Sequence, residues 1–246
     1  MPPRPSPTHF LCIPLITATS RQQLSTSLSL FRADVTSPDS FGVPDEAVRP
    51  VGTLHLTLGV MSFPRNEGLE QAVALLKAIK PRQMLADIAA TTSARSAAKA
   101  EGACGSATTP LSVTLKGLHT MQSAAKASVL YAPPLDEDGV LTKFCEGLRS
   151  TFQEAGLMVG DNRPLLLHAT ILNTIYVKGR NASASRSGNR NREKLTIDAR
   201  RILDRYEDYL WMDAVPIEKI AICKMGAKRQ ENGDEAYEAE AEIDIA

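Results

Sequence analysis

Gly52-Thr53-Leu54-His55-Leu56-Thr57-Leu58-Gly59 is the stretch from which the fold is read, because its pattern returns as Leu167-His168-Ala169-Thr170-Ile171-Leu172-Asn173-Thr174. Each copy lies in an apolar run that reads as a β-strand, Val51 to Val60 for the first and Leu165 to Tyr176 for the second. Successive side chains on a strand point to opposite faces. His55 and Thr57 therefore share one face, and Leu54, Leu56 and Leu58 the other. In the second copy His168 and Thr170 oppose Leu167, Ala169 and Ile171. One His-x-Thr on a strand is most simply a core or surface histidine near a threonine. Two copies in matching contexts point to a site.

The residue types say what such a site would do. Cleaving a phosphodiester requires a proton taken from the attacking oxygen and another given to the leaving oxygen. Histidine, with an ordinary pKa of about 6.5, can do either near neutral pH. A hydroxyl two residues away on the same face can donate to the phosphate oxygens, where charge builds up. His-x-Thr is not a metal-ligand spacing and no Asp/Glu cluster accompanies it, so neither metal nor cofactor is expected. The other two histidines, His9 and His119, lack the phrase.

Working outward, Phe10 to Ile16 reads as a first strand. Ser20 is expected to cap a helix from Arg21 to about Arg32, with Leu24, Leu28 and Phe31 at helical spacing. A second helix is expected from Asn66, with Leu69, Ala72, Val73, Leu76 and Ile79 as its stripe and Pro81 as its stop. Leu111 to Leu115 and Ala127 to Tyr131 read as short strands. A helix over Asp138 to Ala155 turns Leu141, Phe144, Cys145, Leu148 and Phe152 to the core and ends at Gly156. Asp198 is expected to cap another, with Ile202, Leu203, Tyr206 and Leu210 buried, and Arg200, Arg201 and Arg205 on its exposed face. Ile217 to Cys223 reads as a strand. The tail alternates Tyr237, Ala239, Ala241, Ile243 and Ile245 with Glu238, Glu240, Glu242 and Asp244, as an antiparallel strand with one solvated face would. Two stretches, about 90–109 and 180–193, are too poor in large apolar side chains to offset their ordering entropy and are expected to be mobile insertions.

These elements predict an α+β fold: antiparallel strands, helices on the outer faces, and the two motif strands side by side. At 246 residues and 43% hydrophobic, the chain can build one sizeable core or two lobes sharing one. Residues 1–8 are expected to be disordered and 9–246 to form a single domain. Formal charge is zero, which excludes a global basic field for long duplexes and favours a short or terminal substrate. The four cysteines Cys12, Cys104, Cys145 and Cys223 contain no Cys-x-x-Cys and read as thiols of a reducing compartment. The apolar run Phe10 to Ala18 outlines a signal peptide, but it is short and broken by Pro14, so a strand and an intracellular protein are expected.

The paired phrases His55-Leu56-Thr57-Leu58 and His168-Ala169-Thr170-Ile171 resemble the 2H phosphoesterase superfamily, the 2′-5′ RNA ligase-like proteins and cyclic phosphodiesterases. With Asn173-Thr174 and Asp198-Ala199-Arg200-Arg201-Ile202-Leu203, the flanks are similar to the phosphoesterase-like domains of activating signal cointegrator 1 complex subunit 1 and A-kinase anchor protein 7. The resemblance spans about Phe10 to Ile245. It implies a bilobal fold, two antiparallel sheets around a central cleft, with His55, Thr57, His168 and Thr170 as the catalytic tetrad. Tyr131, Tyr176 and Trp211 are the aromatic candidates for stacking on a base. The function implied is a metal-independent phosphodiesterase acting on RNA ends, 2′,3′-cyclic phosphates or 2′-5′-linked oligonucleotides. The alternative is a non-catalytic nucleotide- or RNA-binding adaptor of a nuclear transcription-coactivator or repair complex. Expected partners are a short RNA or nucleotide and a nuclear protein complex, with no membrane; the chain is expected to be a monomer in the nucleus or cytoplasm.

Overall fold

Apolar residues at periods of two and of about three and a half divide this chain into strands and helices that share one core. The computed structural model describes residues 6–96, 111–158, 163–177 and 195–245. In chain order the elements are β1 (His9–Pro14), α1 (Ser20–Thr36), β2 (His55–Met61), α2 (Leu69–Ala78), α3 (Pro81–Ser96), β3 (Ser112–Lys116), β4 (His119–Thr120), β5 (Val129–Ala132), α4 (Val140–Glu154), β6 (Ala169–Asn173), α5 (Arg200–Arg205), β7 (Leu210–Pro216), β8 (Lys219–Lys224), β9 (Lys228–Arg229), β10 (Glu235–Ala236) and β11 (Ala239–Asp244). An antiparallel sheet of seven strands runs β11-β8-β1-β2-β6-β5-β4, and β3-β7 and β9-β10 form two-stranded sheets.

The large sheet is two half-sheets joined at the motif strands. β11, β8, β1 and β2 form one half, and β6, β5 and β4 the other; Leu56 facing Ala169 is the pair that joins them. This is the α+β arrangement expected, with each half contributing one motif strand to the seam. The stripes Leu24, Leu28, Phe31 and Leu141, Phe144, Cys145, Leu148, Phe152 are buried as expected. α1 packs against β7, α2 against β11, and α4 against α3 and β2. Among the described residues no helix is long and apolar enough to cross a membrane. Cys12, Cys145 and Cys223 are buried free thiols; Cys104 lies outside the described residues.

Several boundaries differ from the sequence expectations. Ser20 is not a cap but the first residue of α1, and it is buried; its hydroxyl donates to the Leu15 carbonyl and accepts from the Thr17 N–H, tying the helix to the end of β1. Asn66 does not open α2. It takes a left-handed conformation at the end of a 3₁₀ turn, and Gly68 precedes the helix. Pro81 opens α3 as well as following α2, since proline's missing N–H is harmless in a first turn. α3 reaches Ser96, so the first residues of the 90–109 stretch are helical; 97–109 and 180–193 lie outside the described residues. α5 ends at Arg205, which leaves Leu210 on β7, 47% exposed instead of buried.

Both motif strands contain one extra residue just past the threonine. Cys12 pairs with Thr57 while Leu11 pairs with Gly59, so Leu58 is the additional residue. Tyr131 pairs with Thr170 while Leu130 pairs with Leu172, so Ile171 is the equivalent. The bulge reverses strand parity beyond it. Gly59 is thereby turned to the core beside Leu11, where a Cβ would come within 2.1 Å of the Met158 sulfur. Met158 is itself 4% exposed and has little room to move. Gly59→Ala is expected to cost about 1–3 kcal/mol by overpacking, read as a lowered urea midpoint with an unchanged m-value.

Candidate active site

One pair of residues assembles the site. Leu56 and Ala169 are fully buried and face each other across the antiparallel β2–β6 seam. Their chain neighbours therefore turn to the other face of the sheet. Continuing that antiparallel register by one residue either way turns His55 towards Thr170 and Thr57 towards His168. The four side chains predicted from the two phrases are thus brought together on one face, each histidine opposite the other motif's threonine. Among the described residues neither threonine hydroxyl is engaged in a protein hydrogen bond.

The two imidazoles are held in the same way. His55 Nδ1 lies 2.7 Å from the Thr53 carbonyl, and His168 Nδ1 lies 2.8 Å from the Leu166 carbonyl. A carbonyl can only accept, so Nδ1 carries the proton in both rings and Nε2 is the free nitrogen. Each histidine thus fixes its own tautomer through the backbone two residues upstream. Their surroundings differ. His55 packs against Phe10 and Tyr237, with ring centroids at 4.8 and 5.2 Å. Burial pulls its pKa down to about 4, opposed by the Thr53 carbonyl and reinforced by His168 and Arg49. His168, half-buried like His55, has Tyr131 edge-on at 5.4 Å.

The aromatic candidates separate clearly. Tyr131 pairs with Thr170 in the β5–β6 ladder and lies beside His168, so it belongs to the site; burial raises its hydroxyl pKa. Tyr176 is half-exposed at the end of a 3₁₀ turn whose first N–H groups include Ile175, which donates to the Asn173 side chain. Its ring lies 3.7 Å from the Arg49 guanidinium, which puts it at the margin of the site. Trp211 is not available to a ligand. It is 1% exposed, packed among Phe31, Tyr206 and Tyr209, and its indole N–H donates to the Gly117 carbonyl at 2.8 Å.

Several residues around the tetrad are not singled out by the sequence. Phe10, Cys12, Ala221 and Cys223, with Tyr237 against them, form a small apolar cluster separate from the main core, and it floors the His55 side. Burial pushes the Tyr237 hydroxyl up to about 12, with Tyr176 adding to the rise and Arg49 opposing it. Arg49 is 4% exposed. On the other half-sheet His119 stacks on Tyr131 at 5.9 Å. The sole aromatic in an Ala/Glu tail is a usable signal for Tyr237. Nothing local marks Arg49. Among the described residues no group of three or more His, Cys, Asp or Glu side chains is placed to hold a metal ion.

Comparison with known proteins identifies the family. A model of the AKAP7 2′5′ RNA ligase-like domain matches residues 7–245. The uncharacterized protein C15D4.13c of Schizosaccharomyces pombe is 33% identical over 136 residues, 55% of this chain and 58% of that protein. Activating signal cointegrator 1 complex subunit 1 of Mus musculus is 27% identical over 169 residues, 63% of this chain and 41% of that protein. The matches thus span about half the length of these relatives. Among solved structures, the protein TT0787 of Thermus thermophilus shares the fold, at a TM-score of 0.50 and 17% identity over 97% of both chains. With nearly its whole length matched by that model, the chain belongs to the AKAP7 2′5′ RNA ligase-like domain family.

Proposed function

We propose that the protein is a metal-independent phosphodiesterase acting on short RNA ends, 2′,3′-cyclic phosphates or 2′-5′-linked oligonucleotides. The observation that carries this reading is the seam pairing, which sets two imidazoles with matched tautomers and two hydroxyls on one face. His55 is the base: its neutral form is favoured by burial and by the neighbouring positive groups, so Nε2 is free to take a proton. His168 is the complementary acid: its Nδ1 proton is held by the Leu166 carbonyl, so the proton given to the leaving oxygen is the one Nε2 carries in the imidazolium form. Thr57 and Thr170 donate to the non-bridging oxygens. An anion bound between the imidazoles would raise their basicity, so that the proton removed by His55 is retained during the reaction.

The test is a screen without divalent metal, using 2′,3′-cyclic nucleotides and 2′-5′ and 3′-5′ dinucleotides, with product followed by chromatography. Turnover of any of these, unaffected by chelator, supports the reading. Binding without product over long incubation favours the adaptor alternative, whose support is the name of the mouse relative, a subunit of a cointegrator complex. A nuclear location and a protein-complex partner rest on that relative alone.

The depressed basicity of His55 gives a pH prediction. The acidic limb of kcat/KM reports the free enzyme's base and is expected near pH 4, well below the ordinary 6.5 of histidine. Stability shifts in the same window. The unfolded chain binds the His55 proton more readily than the native state does, so this contribution is present above about pH 6.5 and is lost as pH falls towards 4. A limb at 6.5 or above would rule out His55 as the base.

A further inference from the structure

Arg49 lies next to His55 without being near it in any regular strand pattern. Val48 forms a bridge with Leu172, and the Arg49 N–H donates to the Ile171 carbonyl at 2.9 Å. The chain then loops out through a 3₁₀ turn, Val51–Thr53, and returns to β6 with Leu56 opposite Ala169. Residues 50–54 are thus excluded from the ladder, and Arg49 and His55 become consecutive neighbours along β6. Val48 is buried on the core side with Leu172, which turns Arg49 to the tetrad's face. Its contacts agree: the Tyr176 ring at 3.7 Å, and the Tyr237 hydroxyl, whose own ring packs on His55.

The guanidinium is buried without an anion. Arg49 is 4% exposed, its Nη2 has no hydrogen-bond partner, and among the described residues no carboxylate pairs with it. Burying an unpaired cation is among the most costly arrangements in a protein interior. Its retention beside the catalytic face is explained if the missing anion comes from the ligand. Guanidinium presents a planar fork of donors that matches two phosphate oxygens, and the adjacent Tyr176 face holds that plane in position.

We propose that Arg49 is the phosphate-binding residue of this site. This deepens the phosphodiesterase reading and rests on it. Arg49 is the cation of this face whose charge does not change as protons are transferred, so it can hold the non-bridging phosphate oxygens throughout the reaction.

The test uses the whole chain and three substitutions, Arg49→Gln, Arg49→Lys and Arg49→Met, in a His168→Gln background that prevents turnover. Calorimetry compares 2′,3′-cyclic AMP and adenosine. Arg49→Gln is expected to weaken the cyclic nucleotide about 10- to 100-fold, the worth of a charge-assisted hydrogen bond, while adenosine binding is unchanged. Arg49→Lys restores only part of the loss, because it keeps the charge and not the fork. Arg49→Met, which removes the unpaired charge at similar volume, is expected to melt at or above the parent's Tm while losing phosphate affinity. A structural arginine would behave in the opposite way: a lower Tm and equal losses for nucleotide and adenosine. That result, or cyclic-nucleotide binding unchanged in Arg49→Gln, overturns the proposal. The two readings fail separately. A native chain that binds the diester through Arg49 but hydrolyses none sinks the enzyme assignment alone. One that hydrolyses it with the same KM after Arg49→Gln sinks Arg49 alone.

Discussion

Alanine at either His55 or His168 is expected to lower kcat/KM by about 10²- to 10⁴-fold, the usual worth of a positioned general acid or base. The double substitution should cost little more than the worse single one, because the two proton transfers serve one reaction and their losses do not add. Both side chains lie on the face opposite the fully buried Leu56 and Ala169, so the folded state should survive either change. The roles assigned here separate the two variants. A substrate whose leaving group needs no proton, such as a p-nitrophenyl phosphodiester, should recover much of its rate in His168→Ala and little in His55→Ala. Recovery in the opposite sense would exchange acid and base. Full activity in both variants would end the two-histidine mechanism.

Trp211→Ala carries the largest expected loss of stability, about 3–5 kcal/mol for a fully buried aromatic. The indole packs edge-on against Phe31 at 5.1 Å and Tyr209 at 4.8 Å, and lies over Tyr206 at 6.2 Å, so its removal opens a cavity between α1 and β7. It also leaves the Gly117 carbonyl without its donor, an additional cost for a buried acceptor. Trp211→Phe should lose less, chiefly the hydrogen bond and part of the packing. Denaturant unfolding reads both. Because Trp211 is in the core and not in the cleft, KM should be unchanged in Trp211→Phe at temperatures where it is folded. A raised KM with undiminished stability would return the residue to the ligand site.

Most of the architecture was legible because it depends on short periods. The α4 stripe Leu141, Phe144, Cys145, Leu148 and Phe152 is buried residue for residue, since helical spacing is a local property. The strand parity that puts His55 with Thr57, and His168 with Thr170, also needs only the sequence. Helix ends were read less well. Ser20, Asn66 and Pro81 are residue types with well-known positions at helix termini, yet each has a role set by its surroundings: Ser20 by the Leu15 carbonyl, and Asn66 by the turn leading to Gly68.

What the sequence determined by itself is the pair of His-x-Thr faces and the family to which they lead. What only the tertiary structure decided is how those faces meet. The register Leu56 opposite Ala169 crosses each histidine with the other motif's threonine, and the bulges at Leu58 and Ile171 end the alternation just beyond them. Arg49 joins the site because a looped-out turn brings it back to β6, and Tyr237 because β11 ends the same half-sheet. Trp211 leaves it because β7 carries it into the core. The physical reason is range: side-chain parity repeats every two residues along one strand, whereas register is settled by pairing between segments far apart in the chain, and no local pattern records it.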